Sequence, residues 1–285
     1  MRGKFLTFFV SFEIFKKYSS FTLKQAGWKL LDSNKIRIGS TVFKFFKRRN
    51  IVGTVKTVTI KRDRVGDLYI CFSVELEVPE VNSMTGRSAG FDFGMKTFLT
   101  LSDGTSIESP LFFREYQNDV KRLNRELSRK RKGSKHRKQA RIRLARLHRT
   151  IAEKRRDFFF KLAHDLTDRF DELFFEDLNM KGMQRRWGNK ISDLAFSEFL
   201  NILEYVAKLK GKTVHFIDRF YPSSKTCSYC GLINASLSLK DREWLCVGCD
   251  TLHDRDYNSA LNIHRVGAST LRLGDVRPSQ TAIAA

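Results

Sequence analysis

No stretch of this chain approaches the about 20 consecutive apolar residues that a membrane-spanning helix needs, so no membrane span is expected. The N-terminal segment MRGKFLTFFVSFEIFKK has only a short apolar run. Glu13 interrupts the region after it and no small-residue cleavage site follows, which reads against a secretory leader. Cysteine is scarce, with five in 285 residues. That is too sparse for an extracellular disulfide framework. Cys71 stands alone in the alternating run LYICFSVELEV, where it is expected to be a buried apolar residue. Acid is scarcest in one segment. Between Lys121 and Arg156 there are 17 Lys or Arg against Glu126 and Glu153 alone, an excess that i,i+4 ion pairs cannot neutralise.

What remains is a chain that is 41% hydrophobic, enough to fold at this length, with a formal charge of +22. A folded protein this basic calls for a polyanion. An anionic membrane surface or a ribosomal context are alternatives. The concentration of the charge in one segment favours nucleic acid, and the expected location is the cytoplasm.

Residues 1–85 read as strands, with two period-2 runs about a turn at Asp63–Asp67, and predict a partial β-barrel. Pro79 and the run VNSMTG mark a boundary. A second unit, 86–218, opens with GFDFGM, then FLTLSDG, an Asp103–Gly104 turn and a third strand, so three antiparallel strands are expected. A basic helical hairpin over about 114–160 follows from Leu123 and Leu127, then Leu144, Leu147 and Ile151, with a break at Gly133-Ser134. Its Lys130, Arg131, Lys132, Lys135, Arg137, Lys138 and Arg141 are candidate phosphate-backbone contacts. The strand ELFFED, a helix near Ile191–Lys210 and the strand KTVHFID come next. A cysteine-bearing segment over 219–252, a final helix over 253–268 and a disordered tail over 269–285 complete the chain.

The other four cysteines fall as Cys227-x2-Cys230, fifteen residues, then Cys246-x2-Cys249. Two tight turns of this kind supply the four thiolates of a tetrahedral zinc site. Gly231 and Gly248 allow the backbone bends. Two redox pairs would each need a thioredoxin-like unit, for which there is no room. Four protein ligands leave no open position, so a structural Zn2+ is expected. His253 lies close in sequence but is surplus to that shell.

Three acids stand out. Asp92 lies inside GFDFGM, Glu176 ends ELFFED and Asp256 opens the last helix in HDRDYNSALNI. A carboxylate in an apolar strand is costly unless it is paired or binds a metal. Converging carboxylates suit Mg2+, which keeps waters and phosphate oxygens in its shell. Asp177 and Asp254 are near enough to be mistaken for ligands. Three antiparallel strands, helices, a strand, a helix, a strand and a final helix is also the element order of a ribonuclease-H-like α/β domain.

The runs FDFGMKTFLTLSDG, FFEDLNMKGM, DRFYPSSKTCSYCG and DRDYNSALNI, in that order, resemble the successive signatures of the TnpB-type transposon-encoded nucleases, relatives of the type V CRISPR effectors. The resemblance runs from about Ser40 to Gly267. It implies an RNase H-like (RuvC-type) nuclease domain with an inserted four-Cys zinc ribbon, preceded by a partial, wedge-like β-barrel. It implies Asp92, Glu176 and Asp256 as catalytic Mg2+ ligands, and a transposon-derived guide RNA with double-stranded and displaced single-stranded DNA as partners in a prokaryotic, nucleoid-associated setting. The family's first barrel strand and inserted helical region are not found before Phe21, so a chain shortened at its N-terminus is expected. Arg219 and Lys225, flanking the first knuckle, are further candidates for phosphate contacts. The expected function is RNA-guided DNA hydrolysis. The competing functions are nucleic-acid binding without cleavage and strand joining by a true transposase. The ribbon between the second and third acids favours hydrolysis.

Overall fold

The structure is a computed structural model that describes residues 19–31, 34–47, 50–75, 84–178, 182, 185, 194–238 and 240–271. The chain divides into two compact units, one formed by 1–79 with 122–148 and the other by 80–121 with 149–285.

The first unit contains strands β1 (Ser20–Leu23), β2 (Trp28–Leu30), β3 (Lys35–Ile38), β4 (Thr41–Lys44), β5 (Thr54–Arg62) and β6 (Leu68–Glu75). They form two antiparallel three-stranded sheets, β1-β5-β6 and β2-β3-β4. Both sheets contribute to one apolar cluster around Ile36, Val58 and Ile60. The turn read at Asp63–Asp67 is present. One Asp63 carboxylate oxygen accepts the amides of Val65, Gly66 and Asp67 at 2.8–2.9 Å, the local bonding that favours Asp in turns. Cys71 corrects the sequence reading, because it is exposed. The alternation of β6 sends Ile70 and Phe72 to the cluster, and Cys71, opposite Thr59, takes the other face.

Helices α1 (Phe112–Glu115), α2 (Gln117–Ser128) and α3 (Lys135–Arg169) include the basic hairpin, whose tip, 122–148, belongs to this first unit. The predicted break is a turn. Gly133 has φ +84°, a conformation that costs glycine little. Ser134 Oγ then accepts the Arg137 amide at 3.1 Å and caps α3.

The second unit is built on strands β7 (Ser88–Phe93), β8 (Thr97–Leu101), β9 (Ser106–Glu108), β10 (Glu172–Glu176) and β11 (Thr213–Ile217), in the order β11-β10-β7-β8-β9. β7, β8 and β9 are antiparallel neighbours, as the sequence predicts, and β10 runs parallel to both β7 and β11. Helices α4 (Phe196–Leu209) and α5 (Arg255–Thr270) complete the layers. The last helix therefore starts and ends two residues later than expected, and the tail beyond it, 272–285, lies outside the described residues, as does the first part of the helix expected near Ile191–Lys210.

Alternation along the strands explains how the faces are used. Ala89, Phe91, Leu173 and Phe175 point into the main core with Phe98, Phe159, Phe196 and Phe199. Phe91 stacks on Phe175 with ring centroids 4.8 Å apart. Each buried aromatic of this kind stabilises the fold by about 1.5–3 kcal/mol, so the strands are firmly held from that side. The opposite face carries Gly90, Asp92, Phe174 and Glu176, and α5 lies on it. The approach is close enough that a Cβ on Gly90 would fall 2.3 Å from the Ala260 carbonyl oxygen, and one on Gly267 would fall 2.2 Å from the Phe174 ring.

Candidate active site and metal centre

The register Phe174↔Gly90 and Phe175↔Phe91 brings the ends of β10 and β7 side by side. Asp92 and Glu176 therefore emerge next to each other, on the face away from the phenylalanine core. α5 adds Asp256 in its first turn. Asp254, just before it, is the helix cap: its carboxylate accepts the Tyr257 amide at 2.8 Å, which sets it apart from Asp256.

The three acids share one electrostatic environment. Burial holds the Asp92 carboxyl well above the usual carboxylate range, and the charges of Asp256 and Glu176 push it further. Burial raises Glu176 to about 7. Asp256 is compensated differently. It accepts from Arg242 at 3.1 Å and from Arg255 at 3.2 Å. Two crowded, desolvated carboxyls beside a third are a poor arrangement for stability alone, and a hard oxygen donor set of this kind fits a divalent cation. Beside Glu176 opens a cleft of about 780 Å³, lined in part by Asp177, Asn201, Glu204 and Phe216.

The four cysteines converge as their spacing predicts. Their sulfurs all lie within 4.8 Å of one another, with Cys227–Cys249 at 3.6 Å and Cys230–Cys246 at 3.5 Å. Sulfurs about 2.3 Å from a tetrahedral zinc stand at such separations, so the set fits Zn2+. Strands β12 (Glu243–Leu245) and β13 (Leu252–Asp254) pair to form the second knuckle's hairpin. The apolar support is small, with Leu237 and Trp244 packed against the cysteines, so a metal substitutes for a core. His253, read as surplus, stands 3.0 Å from Cys227 Sγ through Nε2 and packs on Trp244. It supports a ligand without joining the four. Burial pushes the Cys227 thiol up to about 12, whereas the Thr251 hydroxyl beside Cys249 brings that thiol down to about 6.

The proposed phosphate contacts divide into two groups. Arg131, Lys132, Lys135, Lys138 and Arg141 are exposed on the hairpin. Arg137 is instead turned inward, and its guanidinium donates to the carbonyls of Leu127 and Lys130 at 2.8 and 2.9 Å, closing the hairpin. Lys130 is half-buried at that junction. Arg219 pairs with Asp177, and Lys225 donates to the Ala235 carbonyl at 3.1 Å. The side chains of Arg137, Arg219 and Lys225 thus have partners within the protein.

Sequence reasoning missed the polar residues around the acids. Ser259 hydrogen-bonds Asp92, Ser223 donates to Glu176 at 3.4 Å, and Arg242 reaches Asp256 from the ribbon. Ser259 stands three residues after Asp256, a helical spacing that places both on one face. Nothing local in the sequence marks Ser223 or Arg242.

Comparison with known proteins agrees with this architecture. A family described as "Probable transposase" (OrfB_IS605) matches residues 71–186, and one described as "Cas12f1-like, TNB domain" matches 196–263. Relatives that carry the name "Putative RNA-guided DNA endonuclease" include two that match about four-fifths of this chain. One, from Streptomyces pristinaespiralis, is 36% identical over 79% of this chain and 56% of its own length. The other, InsQ from Escherichia coli K12, is 28% identical over 80% of this chain and 60% of its own length. TnpB-like protein L770 of Acanthamoeba polyphaga mimivirus is 28% identical over 80% of this chain and 46% of its own. The chain thus spans about half the length of the curated relatives it matches. The Cas12f1 of a solved sgRNA–target DNA complex aligns with a TM-score of 0.55 at 19% identity, covering 74% of this chain and 45% of that one. Fold and cysteine cluster define a mixed α/β protein with a zinc-binding module, sharing its fold with Cas12f1. The chain belongs to the TnpB-type proteins.

Proposed function

We propose that this chain is an RNA-guided, metal-dependent DNA endonuclease encoded by a transposable element. What supports the reading is that the charges of Glu176, at the end of β10, and of Asp256, in the first turn of α5, both act on the buried Asp92 near the end of β7. On this reading the five-stranded sheet and its helices are a RuvC-type nuclease domain, the cysteine module is its inserted ribbon, and the two small sheets belong to a wedge-like barrel. Among the described residues no helix is long and apolar enough to cross a membrane. The protein would work in the cytosol, on the nucleoid.

Asp92, Glu176 and Asp256 would hold two Mg2+ ions, which supply a clamp on the attacking water and the leaving oxygen of a phosphodiester. The chain's own part is to place these carboxylates rigidly against the phenylalanine core and to keep Asp256 oriented through Arg242 and Arg255. The exposed cations of the hairpin would hold the backbone of the guide–target heteroduplex or of the displaced strand. The names of the relatives support the RNA and DNA partners.

The test is cleavage. The purified chain, with RNA transcribed from the adjoining transposon end and a matching DNA, should cut in Mg2+. Asp92→Ala should abolish cutting and leave binding. Wild type that binds but never cuts would make the chain a nucleic-acid-binding protein instead. Joining of a donor end to a target without RNA would make it a transposase.

A further inference from the structure

We propose that Ser259 and Ser223 are positioning residues for the acid site, their hydroxyls forming a bridge from Asp92 to Glu176 whose second half is supplied by the root of the first zinc knuckle. The inference rests on the reading of the three acids as cation ligands. Ser259 is 1% exposed and Ser223 5%, and a buried hydroxyl is costly unless bonded. Their side-chain bonds run to each other and to the two acids. Ser259 Oγ meets Ser223 Oγ at 3.0 Å, Ser223 Oγ donates to Glu176 Oε2 at 3.4 Å, and Ser259 bonds Asp92.

Each serine has one proton to donate, and an ionised carboxylate only accepts. Ser259 donates to Ser223 and shares that one proton with Asp92, while Ser223 passes its own to Glu176, so the two hydroxyls act as one chain and the loss of either breaks it. The bridge has a fixed foundation. Asn262 Nδ2 donates to the Ser223 carbonyl at 2.8 Å and to the Thr226 carbonyl at 2.6 Å, and Asn258 Nδ2 donates to Thr226 at 2.8 Å. The loop just before Cys227 is thereby clamped to α5, between the helix turn carrying Ser259 and the end of β10. Ser223 is thus placed by the ribbon's root and by α5 together, while its hydroxyl acts on an acid that belongs to the sheet.

Partners that orient metal ligands typically account for 10–100-fold in affinity. The test uses the full chain, with Mn2+ as the probe, titrated by calorimetry and by loss of its free paramagnetic signal. Ser259→Ala and Ser223→Ala should each weaken Mn2+ binding about tenfold, and the double variant should lose little more than either. Zinc content should stay at one per chain and nucleic-acid binding unchanged, whereas Ser223→Thr, which keeps the hydroxyl, should retain wild-type affinity. Unchanged Mn2+ affinity in both alanine variants, with a wild type whose binding is lost in Asp92→Asn, overturns this proposal alone. A wild type whose Mn2+ binding is indifferent to Asp92→Asn overturns it together with the proposed function.

Discussion

Asn258 Oδ1 accepts the Ser228 amide at 2.9 Å, tying the first zinc knuckle to the helix that carries Asp256. The same side chain donates to the Thr226 carbonyl, so one buried amide satisfies both a donor and an acceptor of the knuckle. Removing it leaves the buried Ser228 amide without this partner, at about 2 kcal/mol, while the Thr226 carbonyl keeps its bond from Asn262. Asn258→Ala should lower the denaturant midpoint accordingly and keep the zinc. Displacing Asp256 and Ser259 should also cut the cleavage rate on the order of 100-fold, as small misplacements of reacting groups do. A variant that loses stability but cleaves like wild type would show the clamp to be structural only.

Close approach of α5 to the sheet makes a second prediction. A methyl on Gly90 meets backbone, the Ala260 oxygen and the His264 nitrogen, whereas one on Gly267 meets the Phe174 side chain. Both alanine variants should be destabilised by about 3 kcal/mol, the upper range for overpacking. Only the second can be relieved by a neighbour. Adding Phe174→Leu to Gly267→Ala should recover part of the loss in a thermal melt, and adding it to Gly90→Ala should recover none.

How much of this was legible in the sequence depended on how local each feature is. The cysteine spacing is a local signal and survived intact. Asp92 and Glu176 each follow a phenylalanine, and strand alternation alone sets them opposite the core. Cys71 shows the limit of the same rule. Alternation fixes two faces, but only the partner sheet decides which one is inward, and the cluster chose Ile70 and Phe72. The cations show another limit. Arg137 and Arg219 look like their exposed neighbours in composition, and only tertiary partners, the Leu127 carbonyl and Asp177, reveal that they are engaged. Ser223 becomes visible only once its loop is brought to the helix that carries Ser259, 36 residues further on.

Zinc retention should depend on pH with a break. Coordination needs thiolates, so binding releases protons. Cys227, pushed up to about 12, gives up a proton on binding at any ordinary pH, whereas Cys249, near 6, is already ionised at neutrality. Below about 6, Cys249 must lose a proton as well. A plot of log zinc affinity against pH, measured by competition with a chelator, should therefore rise with pH throughout and be steeper by one proton below about 6. A uniform slope across that value would show that Cys249 carries no such shift.

The acids give the opposite sign for the cation-free chain. A carboxyl whose folded-state value is raised favours the fold when protonated, and that contribution is lost as pH rises from the unfolded value toward the folded one. Glu176, raised from 4.5 to about 7, should by itself cost stability on the order of 3 kcal/mol once ionised, and Asp92 acts in the same direction. With divalent cations chelated, unfolding free energy should fall between about pH 4.5 and 7. Mg2+ should restore more of it at pH 8 than at pH 5.5, because the cation needs the ionised acids. Asp92→Asn removes one of the crowded charges. It should raise the melting temperature of the cation-free chain at pH 8 and abolish the Mg2+ response, trading the site's function for stability. A variant less stable than wild type under those conditions would mean that Asp92 is held by favourable contacts, and the case for a cation between these acids would fail with it.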